Sequence, residues 1–107
     1  MTLKYHTRRD YMKIIGKNPI TGLDYPDPDV IRVDDTYYMV STTMHFVPGC
    51  EILRSYDLVH WEHLSYVYER LDSTEEQRLV GEKNCYGKGM WAASLRYHKG
   101  MYYICFV

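Results

Sequence analysis

From residue 30 onward the chain alternates short β-prone runs with polar turns. VIRV (30–33) leads through Asp34-Asp35 to TYYMVSTT (36–43). EILRSY (51–56) leads through Asp57-Leu58-Val59 to HWEHLSYVY (60–68), with the break HFVPGC at Pro48-Gly49 between the two pairs. Runs of this length, rich in Val, Ile, Thr and Tyr and bounded by Asp, Pro and Gly, predict strands rather than helices. Two aspartates between such runs fit a tight hairpin. The pattern therefore predicts an all-β chain that opens with a four-stranded antiparallel meander, the unit of a propeller blade.

Residues 70 to 84, RLDSTEEQRLVGEKN, are highly charged and predict a short helix or a surface excursion. The β pattern then resumes in WAASLRYH (91–98) and MYYICFV (101–107), which flank the turn Lys99-Gly100. Residues 30–38 and 94–103 share a plan: a strand with a central Arg (Arg32, Arg96), a two-residue polar turn, then paired tyrosines. The same supersecondary unit is started twice. Because the chain stops at Phe106-Val107 inside an apolar strand, the second unit reads as unfinished. One blade and half of another cannot bury their faces alone, so the chain is expected to be an amino-terminal fragment.

Ahead of the strands, residues 1–17 read as a polar lead-in and 18–107 as the start of a domain. Three of the four prolines fall in NPITGLDYPDPD (18–29). Proline fixes φ and removes a donor, so this segment is expected to be a stiff extended loop.

Composition narrows the function classes. With 13 Lys and Arg against 14 Asp and Glu, the formal net charge is -1, which argues against a nucleic-acid or membrane-surface partner. Tyrosine is abundant, 12 against 2 Phe and 2 Trp, and suits either half-wet strands or sites for polar ligands. Cys50, Cys85 and Cys105 are odd in number, widely spaced and without a Cys-x-x-Cys pair. They predict neither a disulfide framework nor a thiolate zinc site. No apolar stretch has the length of a signal peptide core or a membrane span, and the expected setting is cytoplasmic.

NPITGLDYPDPDVIRVDDTYYMVST resembles the opening of glycoside hydrolase family 43: Asn-Pro, then Gly, then a Pro-Asp-Pro loop entering the first blade. Three later features are similar to that family: Pro48-Gly49, the run Ser55-Tyr56-Asp57-Leu58-Val59-His60-Trp61, and Gly89-Met90-Trp91-Ala92-Ala93-Ser94. In the last, Ala93 and Ser94 depart from the family's usual Pro and acidic residue. The resemblance covers roughly residues 18–107. It implies a five-bladed β-propeller, of which this chain would hold the first blade and part of the second. It also implies an inverting glycosidase acting on β-xylosides or α-L-arabinofuranosides, with no cofactor.

Such hydrolysis needs two carboxyl groups, one to protonate the leaving oxygen and one to activate water. The resemblance makes Asp27 the general base, and flanking Pro26 and Pro28 would hold it stiffly in reach of one water. The other reading of Asp27 is a turn-capping carboxylate. Asp24 and Asp29 read as turn or surface residues. By resemblance Trp91 lines the sugar pocket, with Phe46 and Met44 on the loop after the second strand; Trp91 could instead pack within a blade. Trp61 reads as packing. The acid Glu and the Asp that tunes it belong to later blades, so the chain is expected to be inactive alone. It would act on an oligosaccharide or polysaccharide side chain once the missing blades, or another chain, complete the ring. The alternative is a non-catalytic carbohydrate-binding or assembly piece. No metal site is predicted: His60 and His63, three apart on an expected strand, would face opposite sides.

Overall fold

The computed structural model describes residues 16–85 and 88–107, so residues 1–15 of the lead-in lie outside the described residues. Four strands, β1 (Asp29–Val33), β2 (Thr36–Ser41), β3 (Glu51–Ser55) and β4 (Glu62–Tyr66), form an antiparallel sheet in the order β1-β2-β3-β4. Val33 faces Thr36 across the aspartate turn, where Asp34 takes a φ of 55°. The helix expected within 70–84 is the single turn α1 (Glu75–Arg78), capped by the Thr74 side chain on the Gln77 N–H and closed by Leu79 at φ 56°. A second sheet pairs β5 (Ser94–His98) with β6 (Met101–Cys105). Its turn places Lys99 at φ 48° and Gly100 at φ 81°, the successive left-handed residues that match the twist of a two-residue hairpin. The two sheets are one complete meander and the opening hairpin of a second, as the sequence pattern predicts.

The strands are shorter than their hydrophobic runs, for local reasons. β2 stops at Ser41 rather than Thr43, because the following hydroxyls bond to backbone outside the ladder and Met44 turns left-handed at φ 65°. β4 starts at Glu62 rather than His60, because Asp57 holds residues 59–60 in a turn. Its Oδ1 accepts from the backbone N–H groups of Val59 (2.9 Å) and His60 (2.8 Å), and its Oδ2 lies 2.7 Å from His60 Nδ1. Burial pushes the Asp57 carboxyl up, but these bonds and the one from Ser55 outweigh it and hold it well below the usual carboxylate range. His60 is therefore a turn residue. The expectation that it shares a strand with His63 is corrected. His63 sits on β4 with its Nδ1 2.8 Å from Glu51 Oε1.

The alternation of β2 decides where the core lies. Tyr38 and Val40 point toward the second hairpin, and Val40 packs there with Cys50, Met90, Ala93 and Leu95, all buried. Tyr38 meets Tyr102 edge to face at 5.1 Å. Full burial of one such side chain as Leu95 contributes roughly 1.5–3 kcal/mol, so a core this small makes each sheet depend on the other. On the opposite face Met39 and Leu53 are buried in register with one another.

Asp29 fastens the two sheets. Expected to be a turn or surface residue, it is instead the first residue of β1, and its Oδ2 accepts from Leu95 N–H at 2.8 Å and Arg96 Nη1 at 2.9 Å. The bond from Leu95, seconded by Arg96 and Ser94, lowers its pKa against the opposing effect of burial. A carboxylate depressed in the folded state contributes stability that is present above its unfolded pKa and is lost as pH falls through the folded value. Asp29→Ala is expected to cost about 1–2 kcal/mol, the lower part of the range for charged hydrogen bonds because the group is one-third exposed. It should also flatten the acid limb of a stability profile below about pH 4. Denaturant midpoints measured from pH 2 to 7 check this: parallel wild-type and variant curves would exclude the clasp.

Candidate active site

The loop entering β1 places a carboxylate by three constraints. Prolines 26 and 28 restrict the backbone on both sides of Asp27, and Asp27 itself sits at φ 45°, a left-handed conformation that Asp tolerates better than most residues. Ser41 supplies the third constraint: its hydroxyl, 1% exposed, donates to the Pro26 carbonyl at 2.6 Å. That carbonyl belongs to the peptide that enters Asp27, so the plane carrying Asp27 is tied to the end of β2. Asp27 is exposed, and among the described residues nothing is bonded to its carboxylate. All its acceptor positions remain open to a ligand or a water.

The residue after Ser41 organises the facing loop. The Thr42 hydroxyl, fully buried, donates to the Met90 carbonyl at 2.7 Å and accepts from the Met44 N–H at 2.9 Å. The Met90 carbonyl lies in the peptide entering Trp91, whose own N–H donates to the Val107 carbonyl at 3.1 Å. Close approach of these loops requires glycine at 89, since a Cβ there would stand 2.2 Å from the Met44 carbonyl oxygen and 2.4 Å from His45 Cα. Trp91 is 49% exposed and Met44 38%, leaving both side chains surface to offer a ligand. Phe46 is half-buried in the same loop, and the carbonyl preceding it accepts from the Thr43 hydroxyl at 3.2 Å. Thr43 also bonds the Pro48 carbonyl, sharing its one proton between the two.

Asp27, Met44, Phe46 and Trp91 are thus carried by loops that converge on the consecutive hydroxyls 41–43. Their loops are bonded to three neighbouring residues at one end of β2. Trp61 is placed elsewhere: half-buried, with its Nε1 donating to the Leu58 carbonyl at 3.1 Å, it lines a cleft of about 350 Å³ with Asn18, Thr21, Tyr25 and Met39. That cleft holds none of the four candidate residues. Sequence reasoning missed Ser41 and Thr42, and named Gly89 only as part of a motif, without its steric role. The available signal was a run of three hydroxyl residues closing a strand that is otherwise apolar and aromatic.

The nearby titratable groups limit the chemistry. Burial pushes the Cys50 thiol up to about 11, so it is a packing residue and no thiolate nucleophile. Burial, then the charge of Glu51, raises the Tyr25 pKa. Glu51 is engaged by His63, whereas the loop before β1 carries two exposed carboxylates, Asp24 and Asp27, with no partner among the described residues, and of these Asp27 is the one set between two prolines.

Residues 16–107 match the family described as Glycosyl hydrolases family 43. A beta-xylosidase of Formosa agariphila is 42% identical over 86 residues, 80% of this chain and 14% of that protein. A non-reducing end alpha-L-arabinofuranosidase of Bacteroides ovatus is 39% identical over 89 residues, 82% of this chain and 16% of that protein. A solved bifunctional GH43-CE protein of Bacteroides eggerthii is similar with a TM-score of 0.76 and 47% identity, over 85% of this chain and 12% of its own. For xylan beta-1,4-xylosidase from Bacillus halodurans the values are 0.69, 34%, 86% and 17%. The chain therefore spans 14–16% of the length of these curated relatives. The solved relatives are five-bladed β-propellers, of which it covers the first blade and part of the second.

Gly89→Ala should force the Met44–His45 backbone away from residues 89–91. The expected loss is about 1–3 kcal/mol, as for other overpacked sites, with faster amide exchange at Met44. Unchanged stability and exchange would mean that the two loops do not meet as described.

Proposed function

The chain belongs to glycosyl hydrolase family 43, and from that premise we propose that the complete protein hydrolyses β-xylosides or α-L-arabinofuranosides with inversion, Asp27 acting as general base. The observation that carries the proposal is the exposed Asp27 carboxylate, without a partner among the described residues, on a turn anchored by Ser41 next to the Thr42 anchor of the Trp91 loop. A base must reach one water with a fixed lone pair, and a tethered left-handed turn between two prolines supplies that fixity. Asp27 would take a proton from the water as its oxygen attacks the anomeric carbon. The glycosidic oxygen would leave with a proton from a carboxylic acid across the sugar, roughly 6.5–9.5 Å from Asp27 in an inverting site.

That acid is assigned to a later blade, carried by further residues or by another chain, and the 107-residue chain alone is expected to lack turnover. Trp91 would stack on a sugar face, with Met44 and Phe46 forming the adjacent wall. The names of the two curated relatives, a beta-xylosidase and an alpha-L-arabinofuranosidase, support this substrate class, as oligosaccharides or polysaccharide side chains. A cytoplasmic setting belongs to the same proposal. Its support is three cysteines with no disulfide among them.

In the complete protein, Asp27→Asn should lower kcat on aryl β-xylosides or α-L-arabinofuranosides by roughly 10²–10⁴-fold while sugar binding persists. Turnover unaffected by that change would sink the assignment. Sugar binding without any turnover, surviving Asp27→Ala and lost in Trp91→Ala, would select a carbohydrate-binding piece instead.

A further inference from the structure

We propose that Ser41 and Thr42 are positioning residues with divided labour: Ser41 sets the base, and Thr42 sets the sugar-binding wall. The inference rests on the reading of Asp27 as base and Trp91 as sugar platform. It adds two residues that touch neither substrate nor reacting atoms. Their side chains are neighbours in sequence and both are buried, yet neither bonds within the sheet ladder. Each holds the peptide unit that immediately precedes a candidate residue. Ser41 fixes the Pro26–Asp27 peptide by its carbonyl, at 2.6 Å. With that plane fixed and the Asp27 φ at 45°, the direction of its Cα–Cβ bond is set, and with it the region its carboxylate can sweep.

Thr42 fixes two peptides with one oxygen. Its proton goes to the Met90 carbonyl and a lone pair receives the Met44 N–H, so the units entering Trp91 and Met44 are tied to one atom. The second end of the Trp91 peptide is held by Val107, which leaves that plane little freedom. A rotation of Ser41 or loss of its hydroxyl would let the Asp27 peptide drift while leaving the Trp91 loop bonded. Loss of the Thr42 hydroxyl would strand a buried carbonyl and loosen Trp91 and Met44 while Asp27 stays tied. Proton abstraction is sensitive to displacements of about 1 Å, which can reduce rate by the order of 10²-fold, whereas a displaced stacking ring weakens ground and transition states alike.

The kinetics of the complete enzyme therefore separate the two roles. Ser41→Ala should lower kcat roughly 10–100-fold with KM within about threefold. Thr42→Val, which keeps the buried volume, should raise KM about tenfold with kcat within about threefold, and Thr42→Ser should restore both. Ser41→Cys, near in size with a weaker donor, should fall between wild type and Ser41→Ala; if Ser41→Ala does not fold, this variant carries the kcat measurement. Asp27→Asn and Trp91→Ala are measured alongside. If Asp27→Asn leaves kcat unchanged, the reading of the site has failed. If those two variants behave as base and platform but Ser41 and Thr42 variants move the same parameter, or neither, the division of labour is overturned.

Discussion

A buried hydroxyl on a strand that has run out of ladder must find a backbone partner, because leaving it unbonded costs on the order of 1–3 kcal/mol. Ser41, the last residue of β2, and Thr42 directly after it carry two such hydroxyls in succession, each residue no more than 2% exposed. Their partners are the Pro26 carbonyl from the loop before β1 and the Met90 carbonyl from the loop before β5. Segments separated by more than 60 residues are thereby drawn to one strand end by a requirement of hydrogen-bond satisfaction. The rest of the arrangement follows from that requirement. Gly89 is needed because the second loop comes so close, and the Met44 N–H is taken by the same oxygen that donates to Met90.

The association of the two sheets works on the same economy of groups. Leu95 and Val40 share one small core, while Asp29 reaches from the first residue of β1 to the backbone of Leu95. Apolar burial brings the hairpin to the sheet but is indifferent to register. The Asp29 bonds are directional and fix which residue of β5 lies over β1. Tyr38, Ile52 and Leu64 of the first sheet continue this apolar face past the core, lining with Leu95, Tyr102 and Ile104 a groove of about 210 Å³. That continuity is what a blade presents to a successor in a ring of blades, in keeping with a chain that covers the first blade and part of the second of the family propeller.

Much of this was legible in the sequence, and the parts that were not share a cause. Alternation and turn chemistry gave both hairpins, since those signals are local: Asp34, Lys99 and Gly100 adopt the left-handed angles that turns between strands use. The Pro-Asp-Pro loop was legible because proline acts on its own backbone. Asp29 was misread because its role lies in bonds to residues 94–96, beyond the reach of local patterning. His60 was misplaced because Asp57 competes for the backbone: a short carboxylate able to accept from two N–H groups ends the turn later than hydropathy suggests. Ser41 and Thr42 went unnoticed since hydroxyl residues are ordinary in strands, and only burial distinguishes a bracket from a wet edge.

The chemistry of the candidate base depends less on its acidity than on its restraint. Asp57 and Asp29 show what carboxylates in this chain become when donors are within reach: each accepts from backbone N–H and side-chain donors, which hold its pKa low and tie it into the structure. Asp27 has the opposite environment. Its backbone is pinned by a hydroxyl, two prolines and a left-handed turn, while its oxygens are left without partners among the described residues. A fold that needed Asp27 only for its turn would gain by bonding the carboxylate inward, as it does two residues later at Asp29. Restraining the main chain while keeping the carboxylate unbonded stabilises the fold little, and it is the arrangement a group must have if its lone pairs are to be used on something other than the protein.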